Sequence, residues 1–101
     1  MIRHIVMFKF KEEADGRSKA ENLAIAKAKL EALQGVVPTL ISSSVSLGAE
    51  GSAPSNYDIV LVAEYADMDA LNAYVVHPEH KKVGEFMAKV RESRACVDFE
   101  I

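Results

Sequence analysis

Histidine is the residue type in this chain best suited to chemistry at neutral pH, and the sequence has three: His4, His77 and His80. The imidazole ring changes charge close to neutral pH and is the usual general acid or base in enzymes. Two such rings in a pocket that excludes water would form a site for proton transfer. The elements that carry these rings must therefore bring them together.

Metal and thiol chemistry have weaker support in the sequence. His77, Glu79 and His80 include an H-x-x-H spacing, but a zinc site needs further ligands and no pair of cysteines supplies them. The single cysteine, Cys96, is predicted to be a small strand residue, because a nucleophilic thiol needs a neighbour that lowers its pKa. We therefore expect no catalytic metal and no cofactor.

The hydrophobic pattern predicts which way two of the histidines face. In the first strand His4 alternates with Ile2 and Val6, which places its side chain on a buried face. His80 precedes Val83 at helical spacing, and this turns it toward the core. Both rings are thus expected in the interior, either as an acid/base pair or as structural histidines.

Two neighbouring residues extend this group. His77 precedes Pro78, which restricts it to extended backbone and suits it to cap the next helical turn. Tyr74 lies on an amphipathic helix, where it either packs in the core or presents its hydroxyl to a pocket.

The chain order is predicted to be βαββαβ, in one α+β domain over residues 1–101. Ser18 and Glu21 have capping-box spacing at the start of the first helix. Asp67 is suited to cap the second helical region, which Pro78 must interrupt. The predicted strands are 2–10, 39–48, 57–65 and 95–101, and the predicted helices are 18–34 and a broken region from 67 onward.

Both faces of the central strands require burial. Two helices cover only one face of a four-stranded antiparallel sheet. In the third strand Val60 and Val62 oppose Ile59 and Leu61, so neither face is polar. Because a large exposed apolar face is rare on a soluble monomer, the second face is predicted to pack against another sheet or to enclose a ligand.

Composition narrows the possible partners. The 101 residues are half apolar, which fits one domain with one core. A net charge of −3 is unfavourable for nucleic acid binding, which needs clustered basic residues. Arg3 and Lys9 interrupt the first apolar run, so neither a signal sequence nor a membrane span is predicted there. We expect a cytoplasmic homodimer with no nucleic acid or membrane partner.

Five segments together resemble the stress-responsive dimeric α/β-barrel (Dabb) family. They are the opening RHIVMFKFK, the strand YDIVLV, the run D-x-x-A-L-x-x-Y from Asp67 to Tyr74, the tetrad HPEH and the final VDFE. The resemblance covers nearly the whole chain. It implies a ferredoxin-like protomer with helices on one face of the sheet, whose other face packs against a second copy to form a barrel. A small apolar carbonyl or aromatic ligand is then expected in the barrel.

The resemblance also implies a possible reaction, because some family members cyclise a linear polyketide by intramolecular aldol condensation without a cofactor. It transfers the catalytic roles to His4, Tyr74 and His80, with His80 as the base. Such cyclases also carry a histidine early in the third strand, where this chain has Asp58, and a tyrosine on the first helix, which this chain lacks. A non-catalytic homodimer is therefore the alternative, and a related monooxygenase has no distinguishing feature here.

Asp58 and His77 are further candidate ligand-binding residues. Asp58 shares its strand parity with Glu64 and Asp98, and these carboxylates either line the mouth of the barrel or are solvated. The presence and size of a cavity inside the fold distinguish a ligand-binding function from a structural one. A cavity on the order of 300 Å³ or more that opens onto both His4 and His80 would favour a ligand, and a filled interior would favour a structural role.

Overall fold

The computed structural model describes residues 1–101 as six strands and three helices. The strands are β1 (Ile2–Phe10), β2 (Glu13–Ala14), β3 (Arg17–Ser18), β4 (Ser42–Leu47), β5 (Ile59–Tyr65) and β6 (Arg91–Glu100). The helices are α1 (Lys19–Glu31), α2 (Met68–Val76) and α3 (Pro78–Val90). None of these helices combines the length and the apolar character needed to cross a lipid bilayer.

The main sheet has the order β4-β5-β1-β6, and every neighbouring pair is antiparallel. β1 is therefore held by backbone hydrogen bonds on both sides. Its residues Ile2, His4, Val6 and Phe8 are buried under the helices. The predicted α+β, ferredoxin-like order βαββαβ, with the helices on one face, is confirmed. So is the predicted side of His4.

A short hairpin, β2 paired with β3, was not among the predicted elements. Its turn residues Asp15 and Gly16 have φ of 54° and 76°, and a type I′ turn requires such positive values at both central positions. Asp-Gly is a strong signal for this turn, which the hydrophobic pattern alone does not reveal. The hairpin leads into Ser18, which forms the predicted capping box with Glu21.

Strand boundaries differ from the prediction mainly at β6. This strand begins at Arg91, directly after α3, and not at residue 95. Arg91 is both the C-cap of α3 and an extended residue, with its N–H donating to the Met87 carbonyl, so no turn separates helix and strand. The longer strand brings Arg91 and Arg94 into the sheet.

The predicted break between α2 and α3 falls at Pro78. Asp67 caps α2 by accepting from the N–H of Ala70 at 2.8 Å. His77 is extended, and its ring nitrogen Nδ1 accepts from the N–H of Glu79 at 3.1 Å. His77 thus ends one helix and caps the next, as the sequence predicts.

The sheet face opposite the helices, here called the open face, carries an apolar patch across β5, β1 and β6. Three of its side chains are well exposed: Met7 at 36%, Val97 at 55% and Phe99 at 38%. Ile5 and Val62 lie among them and are half-buried. Apolar groups side by side on an uncovered sheet are the pattern that the sequence predicts for a second binding face.

Asp58 stabilises one end of the sheet. Its carboxylate accepts from the N–H of Phe10 at 2.7 Å and lies 3.4 Å from Lys19 Nζ. Phe10 is the last residue of β1, whereas His4 is near its start. The prediction that Asp58 binds the same ligand as the histidines is not supported, because this side chain is occupied at the opposite end of the strand.

A substitution tests this structural role. Asp58→Ala leaves the N–H of the buried residue Phe10 without its carboxylate acceptor, so we expect the free energy of unfolding to fall by about 2 kcal/mol. Asp58→Asn retains an acceptor oxygen and should cost less. Chemical denaturation measures both, with Glu50→Ala on an exposed loop as the control. A loss no larger than that of the control would contradict the assignment.

Candidate functional site

A cavity of about 160 Å³ lies between the helix-covered face of the sheet and α3, next to the edge strand β6. His4 and His80 both line it, so the two imidazoles that were predicted to face the interior meet in one place. Its volume is about half of the 300 Å³ expected for a ligand site. The other lining residues are Val6, Phe8, Leu30, Leu61, Val83, Gly84, Met87, Arg91 and Arg94.

This cavity lies within one protomer and not on the open face. A face-to-face barrel would enclose the open face, whereas His4 shares the parity of Ile2 and Val6, which the helices cover. Tyr74 and His80 belong to those helices. These residues therefore do not support the expected ligand position inside the barrel, because they lie on the helix-covered side of the sheet.

His4 is 7% exposed and is oriented by Asp98, which was not among the predicted catalytic or ligand-binding residues. The register of β1 against β6 sets the two residues directly opposite each other. Directly opposed side chains on one face of an antiparallel pair are close neighbours. Because a carboxylate only accepts, Nδ1 of His4 carries the proton in this bond, and Nε2 is left for a molecule in the cavity.

His80 is oriented by the helix break. In a continuous helix the carbonyl of Val75 would accept from the N–H of Glu79, but that N–H bonds to His77. The Val75 carbonyl instead accepts from Nδ1 of His80 at 3.0 Å. His80 therefore also holds its proton on Nδ1, and its Nε2 makes no hydrogen bond to the protein.

Two tyrosine rings connect the histidines. Tyr74 packs against His80 with ring centroids 4.4 Å apart, and Tyr65 packs against Tyr74 at 5.2 Å. The Tyr65 ring lies 6.3 Å from that of His4. Tyr74 is 2% exposed and does not line the cavity, so it fixes the position of the His80 ring.

Burial sets the protonation states of this group. It lowers the pKa of His80, and the positive charges of His4, Arg94 and His77 act in the same direction, against the hydrogen bond to Val75. Burial also raises the pKa of Tyr74 to about 12. His80 is thus a neutral base near pH 7, while Tyr74 keeps its proton.

Cys96 lies beside the His4 and Asp98 pair, with Sγ 3.5 Å from Nδ1 of His4. Burial and then the charge of Asp98 raise the pKa of its thiol, which keeps it protonated. Thiol and carboxylate approach the same ring nitrogen, whereas a catalytic relay needs them on opposite nitrogens. Cys96 is therefore no activated nucleophile.

His4, Cys96 and Asp98 are also a potential metal-binding cluster. Their ligand atoms lie within 4.8 Å of one another, and zinc binds imidazole nitrogen, thiolate sulfur and carboxylate oxygen. Nδ1 of His4 and the Asp98 carboxylate already bond to each other, however. A metal ion would have to replace that bond. We assign the cluster to the orientation of His4.

The remaining candidate, His77, lies outside the cavity. Its Nδ1 is used as the cap of α3, so the structure gives it the structural role that the sequence offered as one possibility. In its place the structure adds Asp98, Arg91 and Arg94. Strand parity marks Asp98 only as one of several carboxylates, and the register of β1 against β6 is what places it opposite His4 and the two arginines at the cavity.

Comparison with known proteins shows which sequences and structures the chain is similar to. A stress-response A/B barrel domain-containing protein of Arabidopsis thaliana is 26% identical over 99 residues, which are 98% of this chain and 46% of that protein. The chain thus spans a little under half the length of that relative.

Two solved structures are similar over the whole fold. A dimeric protein of unknown function with a ferredoxin-like fold from Bacteroides fragilis is 33% identical, with a TM-score of 0.80, and the match covers 99% of this chain and 95% of that one. A dimeric ferredoxin-like protein of unknown function from Thermobifida fusca is 27% identical, with a TM-score of 0.82 and coverage of 99% and 90%. The family model of the stress responsive A/B barrel domain matches residues 2–101, and the chain therefore belongs to that family.

Proposed function

We propose that the chain works as a homodimer in which the open faces of two copies pack together. The observation that supports this is the exposure of Met7 on the inner strand β1 and of Val97 and Phe99 on the neighbouring edge strand β6, all on the uncovered face of the sheet. Two antiparallel sheets that pack face to face interdigitate such side chains. The related proteins from Bacteroides fragilis and Thermobifida fusca are dimeric, which agrees with this assembly.

Charges on the open face should dissociate this dimer. In Met7→Glu/Val97→Glu two carboxylates per copy are forced into an apolar interface, so we expect a monomer in sedimentation velocity at micromolar concentration. The matched control is Met68→Glu/Val76→Glu, since these residues are 44% and 60% exposed on α2, on the other side of the sheet. A wild-type protein that sediments as a monomer, or a control that dissociates as readily, would refute the assembly.

Within each protomer we propose that the cavity binds a small carbonyl or aromatic compound and that His80 removes a proton from it without a cofactor. The supporting observation is that His4 and His80 line one cavity while each holds its Nδ1 in a hydrogen bond. In the proposed step Nε2 of His80 takes a proton from carbon, and the electron pair of the C–H bond moves onto the carbonyl oxygen to form an enolate.

The other residues support this step in different ways. His4, fixed by Asp98, positions the compound through Nε2 and in its protonated form polarises the carbonyl. Tyr74 acts through the ring of His80 and does not touch the compound, so it is a positioning residue. Apolar lining residues such as Leu61 and Met87 reduce the contact of the reacting groups with water, which strengthens these electrostatic effects.

Proton abstraction can be followed without knowledge of the natural substrate. We expect the wild-type protein to accelerate deuterium exchange at the central carbon of 2,4-pentanedione in NMR, and His80→Gln to remove about 100-fold or more of that acceleration. The side-chain amide of Gln can still donate a hydrogen bond to the carbonyl of Val75. The exchange rate should fall as the pH is lowered through the depressed pKa of His80, because only the neutral ring accepts a proton.

Lys81→Gln is the control for this measurement, since Lys81 is exposed on the same helix and does not line the cavity. It should leave the exchange rate unchanged. If His80→Gln exchanges as fast as the wild-type protein, His80 is not the base.

A non-catalytic homodimer is the second candidate, and the small volume of the cavity favours it. At about 160 Å³ the cavity is below the size of most ligand sites. In that case the histidines only hold the helix break and the edge strand in place. No exchange above background and no bound compound in a thermal-shift screen of small carbonyl and aromatic compounds would select this candidate.

A further inference from the structure

Two guanidinium groups line the cavity and have no role in the proton transfer proposed above. They belong to Arg91, which is half-buried, and Arg94, which is exposed. The other two arginines of the chain, Arg3 and Arg17, lie 2.8 Å and 2.9 Å from a carboxylate oxygen. Arg91 and Arg94 form no such ion pair. Their charges are therefore available to a ligand.

The rest of the cavity gives these charges no counterion. None of its lining residues is acidic, and the carboxylate of Asp98 pairs with His4 and not with either arginine. Apart from the arginines and histidines the lining is apolar except for Gly84. The cavity thus combines an apolar wall with a cationic end next to β6.

An irregularity in the sheet places both arginines on the same side. Residues three apart in a regular strand face opposite sides, since side chains alternate with a period of two. The register of β1 against β6 shifts between Lys9 and Phe10, so that Arg94 is opposite Phe8 and Arg91 is opposite Phe10. Phe8 and Phe10 both face the core. The shift therefore turns Arg91 to the side of Arg94, which is the kind of redirection that bulges provide.

We infer that the ligand of this cavity carries a carboxylate, which Arg94 and Arg91 bind, while its carbonyl or aromatic part lies against the apolar wall beside His80. This inference rests on the proposed ligand-binding function and adds the charge of the ligand to it. The planar guanidinium matches a carboxylate with two parallel hydrogen bonds, which makes arginine selective for this group. The ligand is therefore anionic, whereas the sequence predicted an apolar compound.

A bound carboxylate should also act on His80. The charges that face this ring are those of His4 on β1, Arg94 on β6 and His77 before α3. A carboxylate on Arg94 offsets one of these positive charges. The pKa of His80 should then rise when an anionic ligand binds, and should not rise with a neutral one of the same shape.

The test compares benzoate with benzamide, two planar compounds of nearly equal size that differ in charge. Titration of the dimeric protein with each, followed by NMR of the His80 ring, gives both affinity and site. We expect benzoate to bind about tenfold or more tightly than benzamide, the effect of one charged hydrogen bond or more. Arg94→Gln should remove this preference, and Arg94→Lys should retain part of it. Lys81→Gln removes the same charge outside the cavity and should retain all of it.

The outcomes separate this inference from the function on which it rests. If both compounds shift the His80 signals with equal affinity, the ligand site exists and the inference of a carboxylate is wrong. If inorganic phosphate displaces benzoate at equal concentration, the arginines bind anions without preference for carboxylate, and the inference is likewise wrong. If neither compound perturbs His80, the ligand-binding function fails together with the inference.

Discussion

The antiparallel pairing of β1 with β6 is the interaction on which the candidate site depends. It places Asp98 opposite His4 and Arg94 opposite Phe8, and its shift near Phe10 adds Arg91 to the same side. Because side chains alternate along a strand, a slip of β6 by one residue would turn Asp98 and both arginines to the open face. The backbone bonds that hold the edge strand therefore also create the imidazole–carboxylate pair and the cationic end of the cavity.

The break at Pro78 has a comparable effect on the helical side. Proline has no N–H and ends α2, so His77 caps α3 and the carbonyl of Val75 becomes available to His80. Both catalytic candidates are thus fixed by groups that bond only to Nδ1. The sheet orients one ring and the helix break orients the other, and the packed rings of Tyr65 and Tyr74 span the distance between them. The two faces of the sheet have different proposed roles. The open face is the proposed surface for assembly, and the face covered by the helices contains the cavity.

Much of the fold could be predicted from the sequence, because strand alternation and helix capping depend on residues that are close together in the chain. The parity of His4 with Ile2 and Val6 gives its buried side, and Ser18, Asp67 and Pro78 mark helix ends by their own backbone chemistry. Asp98 could not be found in this way, because it is 94 residues from His4 and meets it only through the strand register. Asp58 was proposed from strand parity counted along the sequence, whereas the side chain lies just before β5 and bonds to Phe10, a contact that parity does not reveal. The side of the sheet that holds the cavity depends on how the helices pack, which no single strand encodes.

The proposed proton transfer requires both imidazoles to hold their protons on Nδ1, so that Nε2 of each is presented to the cavity. Long-range proton–nitrogen correlation NMR of the histidine side chains reports this directly, with His4→Gln and His80→Gln used to assign the signals. We expect a protonated Nδ1 in both rings at neutral pH and, in His80, an unprotonated Nε2. A His80 ring that carries its proton on Nε2 would contradict the proposed proton transfer, because the nitrogen required to accept a proton from a ligand would then already hold one.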